Sequence, residues 1–161
     1  LEAILSNYYF GIALFLIIIG GRFAYERWHF SRFQRRWLQA QDAVHDGNWV
    51  AAEARLRECV KMTPIAGSVH RLLGVVLARR GKIAEAEERI RFGAELEPKN
   101  PQGFLELGFF LHAFAPDRKE EAIDAFASAL KNAPNLRETL SNEPRLESLR
   151  ECERFKKLLQ S

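Results

Sequence analysis

A chain of 161 residues, 47% hydrophobic and 28% charged, has the composition of an ordered domain rather than of a solvated, disordered polymer. Its formal net charge is only +3, too mild for a surface built around nucleic-acid phosphates. Cys59 and Cys152 stand alone and far apart, which excludes a disulfide framework and a zinc-ligand spacing; Cys59 is expected to be a buried structural thiol.

The chain opens on its most apolar stretch. From Ala3 to Gly21 no charged residue occurs, a run that as a helix at about 1.5 Å per residue covers roughly 29 Å, close to a hydrocarbon core of about 30 Å. Aromatic residues flank it, with Tyr8 and Tyr9 on one side and Tyr25, Trp28, Phe30, Phe33 and Trp37 on the other, as at a membrane interface. A retained transmembrane helix over 3–21, in contact with the lipid bilayer, is therefore expected. A cleaved signal peptide fits less well, because the stretch has no basic start and no small-residue cleavage site after it.

Arg22, Arg27, Arg32, Arg35 and Arg36 follow, against the single Glu26. Together with Trp28 they read as a membrane-interface collar, which by the positive-inside rule predicts an inner (cytoplasmic) membrane protein with its N-terminus outside and the rest in the cytoplasm. At 100° per residue these arginines ring the helix rather than line one face. Nothing between Tyr25 and Trp37 breaks a helix, so the segment is predicted to run into the next unit; residues 1–32 form the expected span and stalk.

Beyond the stalk the chain repeats. The stretch 67–100 carries Leu73-Gly74, Leu77, Gly81, Ala86, Ile90 and Pro98; 33–66 carries Ala40, Ala43, Gly47, Trp49, Ala52, Leu56, Cys59 and Pro64; and 101–136 carries Leu107-Gly108, Leu111, Ala122, Phe126, Ala129 and Pro134. Small residues fall where two antiparallel helices must approach closely, with larger apolar ones around them. This pattern resembles the tetratricopeptide (TPR) repeat, whose period is 34 residues. The resemblance implies an all-α chain in which three helix hairpins stack as a right-handed solenoid, since one hairpin cannot bury its own apolar faces. The third unit is two residues longer, an insertion placed at Ala115-Pro116-Asp117, with Asp117 predicted to cap the next helix in a capping box with Glu120. Asn100-Pro101 is a second helix start.

The period stops after Leu136. Leu146, Leu149, Phe155 and Leu158 recur at helical spacing over 137–161, a pattern that resembles the segment closing bacterial TPR proteins and is expected to cover the last repeat.

Chemistry-bearing constellations are absent from the sequence. His29, His45, His70 and His112 share no metal-ligand spacing, and no glycine-rich phosphate loop follows a strand. Glu85 with Arg89 and Glu87 with Arg91 read as i, i+4 pairs on a solvated helix face. No catalytic residue, metal, cofactor, small-molecule substrate or nucleic acid is expected.

The resemblance places partner binding on the concave face made by the first helix of each repeat. Its principal positions here are Trp37, Gln41 and His45, then Arg71, Val75 and Arg79, then Leu105, Phe109 and His112, with Ser68, Ala78, Gln102 and Ala113 beside them. Apolar anchors and two guanidinium groups point to a partner protein. The lysine and asparagine clamp of chaperone-tail TPR domains is missing, since Trp37, Gln41, Leu72, Gln102 and Glu106 stand at its positions. Phe110 and Phe114 are expected off the groove as exposed aromatic surface. The expected function is a non-enzymatic, membrane-anchored adaptor, an accessory or scaffolding subunit of a membrane protein complex; the alternative is an assembly factor that binds clients transiently.

Overall fold

The computed structural model describes residues 2–160, with side chains from 15 to 160. Helix α1 (Glu2–His45) is followed by α2 (Trp49–Met62), α3 (Gly67–Arg79), α4 (Ile83–Leu96), α5 (Pro101–Phe114), α6 (Lys119–Asn132), α7 (Leu136–Asn142), α8 (Glu147–Arg150) and α9 (Glu153–Gln160), with 3-10 turns at Pro116–Arg118 and Pro144–Leu146. No strand occurs among the described residues.

Helix α1 runs unbroken from the apolar stretch into the first hairpin, where Phe33, Trp37, Ala40 and Val44 pack into the core beside α2. The expected transmembrane helix is corrected by the structure: among the described residues no helix is long and apolar enough to cross a membrane. Arg22, Glu26, Arg27 and Arg32 follow the apolar stretch within the same helix. The side chains of 3–14, the rest of the expected span, lie outside the described residues. The predicted inner-membrane localisation, its topology and the bilayer contact rested on that span, and no helix among the described residues supplies it. One arginine of the basic collar reaches a second helix, and others pair along α1 itself. Arg22 pairs with Glu26 at 3.0 Å and Arg36 with Glu58 of α2 at 2.8 Å, while Arg32 lies over the Trp28 ring at 5.3 Å; Arg27 and Arg35 are exposed.

The hairpins close on small residues. A Cβ added to Gly74 would lie 2.5 Å from Ile90 Cγ1 and 2.8 Å from the Ala86 carbonyl oxygen, so α3 and α4 can touch only where one side chain is missing. Gly108 makes the same allowance for the Phe126 ring, 2.6 Å from such a Cβ. In the first hairpin Ala40 fills this place and is fully buried. Gly47 and Gly81 end the first helix of their hairpins at φ 70° and 76°. There the Lys82 N–H donates to Leu77 O at 2.9 Å and the Gly81 N–H to Ala78 O at 3.0 Å, the paired closure of a left-handed helix end. The third hairpin has no such glycine and turns through Pro116–Arg118. Asp117 does not cap α6: the preceding residue is Arg118, without a side-chain cap, and its guanidinium is drawn to Glu87 and Glu121. Asn100 does cap α5, accepting from the Gln102 N–H at 3.1 Å.

Successive hairpins are joined on the face of their second helices by a repeated ion-pair ladder. Glu53 of α2, only 5% exposed, accepts from Arg57 at 2.9 Å, from Lys82 at 2.8 Å and from Arg80, while Arg57 reaches Glu85 of α4 at 2.6 Å. One hairpin further on, Glu87 accepts from Arg91 at 2.9 Å and Arg118 at 2.8 Å, while Arg91 reaches Glu121 of α6. Burial pushes the Glu53 carboxyl up, but hydrogen bonds from Lys82, Arg57 and Arg80 outweigh it and hold it at about 2. The hydrogen bond from Arg118 likewise holds Glu87 below the ordinary carboxylate range. Of the pairs read on α4, Glu87–Arg91 forms, whereas Glu85 turns to Arg57.

The C-terminal helices close the stack differently. Ile123, Phe126 and Leu130 of α6 make one buried cluster with Leu140, Leu146, Leu149 and Phe155, and Phe126 and Phe155 lie 6.0 Å apart, both fully buried.

Candidate functional site

The nine principal groove positions do not form one surface. Trp37 is half-buried in the core of the first hairpin, and Gln41 and His45 are exposed on α1. Arg71 is only 6% exposed. Its Nη1 donates to Glu97 Oε2 at 2.7 Å and its Nε to Glu106 Oε2 at 3.2 Å, so this cation is already spent within the fold. Three glycines make room for the pair. A Cβ on Gly93 would meet Arg71 Cγ at 2.5 Å, one on Gly103 would meet Arg71 Cδ at 3.2 Å, and one on Gly67 would meet Glu97 Cδ at 2.7 Å. The Arg71 hydrogen bond holds the Glu97 carboxyl below the ordinary range; Glu97 also accepts from Asn100 Nδ2 at 2.8 Å and from the Ser68 N–H at 3.2 Å.

What α3 and α5 do form between them is a groove of about 480 Å³. Val75, Ala78 and Arg79 line one wall, and Leu105, Phe109 and Ala113 the other, with Gln102 at one end. Five further residues complete it that the repeat positions did not mark for binding: Ile90 of α4, Glu106, Phe110, Phe114 and Arg145. Phe110 is buried, its ring 5.2 Å from that of Phe114 and tilted to it; Phe114 is 47% exposed at the rim and lines the groove, so it belongs there rather than to a separate aromatic surface. Their four-residue spacing was the available signal, since it puts both rings on one side of α5. Arg145 arrives from the C-terminal segment, and no local pattern announces it.

The charges of this groove are nearly all accounted for. Glu106 accepts from Arg71 through one oxygen and from Gln102 Nε2 at 3.0 Å through the other. Arg145 is gripped by Glu143 at 2.8 and 3.0 Å and lies over the Phe109 ring at 4.2 Å; these hydrogen bonds hold the Glu143 carboxyl at about 2. Phe109 also meets Phe126 edge to face at 5.3 Å. His112 faces the same segment, its Nε2 2.9 Å from Arg145 O. Arg79 is exposed and lies over the Trp49 ring at 5.9 Å, and among the described residues no carboxylate pairs with it.

Among the described residues no cluster of three or more histidine, cysteine or acidic side chains is placed to hold a metal. His70 is buried, with Nε2 2.8 Å from Pro64 O and its ring edge-on to Phe92 at 4.8 Å. Cys59 is fully buried, and its surroundings push the thiol up to about 11, which keeps it from acting as a thiolate nucleophile near neutral pH.

No protein-family model matches the chain, and no curated protein matches it in sequence. Solved structures do match it. The type III secretion chaperone SycD of Yersinia enterocolitica, in complex with a peptide of the translocator YopD, superposes with a TM-score of 0.60 at 15% identity over 81% of this chain and 91% of SycD. The TPR domain of Arabidopsis OM64 gives 0.63 at 16% identity over 80% and 98%. The TPR2B domain of yeast Sti1, in complex with pHsp70, gives 0.59 at 15% over 81% and 97%. At these identities the likeness is one of architecture: three stacked hairpins and their cap give this chain a TPR-like fold.

Proposed function

We propose that the chain is a protein-interaction module that takes a short segment of a partner protein in the groove between α3 and α5. The observation that carries this reading is the groove itself. Val75, Leu105, Phe109, Phe110 and Phe114 present a continuous apolar lining on a face that the stack leaves open, the kind of concave surface into which partner side chains can bury. Two similar structures hold partners, a translocator peptide on SycD and pHsp70 on the Sti1 domain, and they support the reading. The binding surface lies on the second and third hairpins, so it does not require the N-terminal part of α1.

A random-peptide library panned on the immobilised chain tests this. Enriched peptides are expected to bind the wild-type chain in fluorescence anisotropy and to lose at least roughly tenfold in affinity to Phe114→Glu and Val75→Glu, which place a charge in the apolar lining. Ile65→Glu, at a residue 77% exposed outside the groove, is expected to bind as the wild type does. Binding that survives both groove substitutions overturns the proposal.

A further inference from the structure

The partner segment has a definite charge, an inference that rests on reading the groove as the binding surface. We propose that the groove selects a segment in which a large apolar residue is accompanied by an acidic side chain, the carboxylate being received by Arg79.

The argument is an accounting of the ionic groups on the lining. Glu106, the lining's only carboxylate, has both oxygens engaged, by Arg71 and Gln102. Arg145 has its carboxylate, Glu143. Arg80 and Lys82, which follow Arg79 in the chain, are both directed to Glu53 on the other face of the stack. Arg79 alone stands at the groove without an ionic partner among the described residues, held over Trp49. A docked segment that covered it with apolar surface would strip water from its donors and return nothing. A lysine there would meet the like charge of Arg79, and the lining's carboxylate, Glu106, is already held by Arg71 and Gln102. An aspartate or glutamate supplies the acceptor and gains a charge-assisted, forked hydrogen bond, while the neighbouring apolar residue settles on Leu105, Phe109 and Phe114. Arg71, drawn into the fold, has no part in this recognition.

The experiment compares the peptides that a random-peptide library yields on the wild-type chain and on Arg79→Glu. The wild type is expected to enrich sequences pairing an apolar residue with aspartate or glutamate; for a labelled consensus peptide, acid→amide replacement or Arg79→Ala is expected to weaken binding roughly tenfold, with less loss at high salt. Arg79→Glu is expected to enrich lysine or arginine at that place instead. If the enriched peptides are uncharged or basic yet still lose binding in Phe114→Glu, the groove binds partners and the charge inference alone is overturned. If no peptide depends on Phe114 and Val75, both readings fall. A concentration-dependent dimer abolished by Phe114→Glu would make a second copy of this chain the occupant, and would overturn the proposal as well.

Discussion

The two joints between successive hairpins and the joint between the third hairpin and the C-terminal helices solve one packing problem with a different balance of ionic and apolar contacts. Between hairpins a small apolar seam is bordered by the ladder of Glu53, Arg57, Arg80, Lys82 and Glu85, then of Glu87, Arg91, Arg118 and Glu121. At the end of the stack the places held by Glu53 and Glu87 and by Arg57 and Arg91 become Ile123 and Ala127, an aromatic and aliphatic cluster takes over, and the ion pairs that remain, from Arg154 of α9 to Glu120 and Asp124 of α6, lie on the exposed surface. Ion pairs at such sites return little net stability once desolvation is counted, but they fix how units meet. Apolar burial stabilises without direction. The contrast therefore separates a device for register from a device for termination.

The largest blow to this contrast should come from the apolar side. Phe155→Ala removes a fully buried ring from the terminal cluster and is expected to cost about 3–5 kcal/mol, read as a lower denaturant midpoint with little dependence on salt. Glu53→Ala leaves Arg57, Arg80 and Lys82 facing one another and is expected to cost about 3 kcal/mol, a loss that shrinks as salt screens the three cations. If the two variants respond to salt alike, the division between the joints is wrong. The same carboxylate sets a pH dependence. Because Glu53 is held at about 2 against an ordinary 4.5, its contribution is fully present above the ordinary range and is lost as pH falls from about 4.5 to about 2, in step with the lowered Glu87, Glu97 and Glu121; stability in acid should fall less steeply in Glu53→Ala than in the wild type. The smallest effect belongs to Gly81, whose φ of 76° sets Arg80 and Lys82 on either side of the turn. Gly81→Ala should cost about 1 kcal/mol, measurable in the same titration.

Local pattern made the hairpins legible. Gly74 and Ala86 are small because helices touch there, and Asn100-Pro101 starts a helix in the structure as it does on paper. The groove was legible by half. Val75, Arg79, Leu105 and Phe109 come together as their repeat positions imply, but Arg71, a binding residue by position, is locked in by Glu97, Glu106 and spaces left by Gly93 and Gly103, none of them near it in sequence. The ladder escaped for the same reason. Arg89, four residues from Glu85, was the obvious partner on one helix, while Arg57 is brought to Glu85 only by stacking. The apolar opening pointed to a membrane span, but among the described residues no helix is long and apolar enough to cross one, and α1 carries on past the stretch into the first hairpin, where Phe33, Trp37 and Ala40 pack against α2.

The ladder also gives the stack a reading direction. A unit offers a partner to the next one through a glutamate and an arginine on its second helix, as Glu53 with Arg57 and Glu87 with Arg91 do. It accepts one through a cation just before that helix and a glutamate in its first turn, as Lys82 with Glu85 and Arg118 with Glu121 do. At these positions the first unit can only offer, since Asn48 and Ala51 stand where the accepting groups would be; the third can only accept, since Ile123 and Ala127 replace the offering pair; the middle one does both. Of the possible orders of these three units, only the one the chain uses matches every junction, so serial position is written into a few surface side chains, like the teeth of a key cut for one sequence of locks.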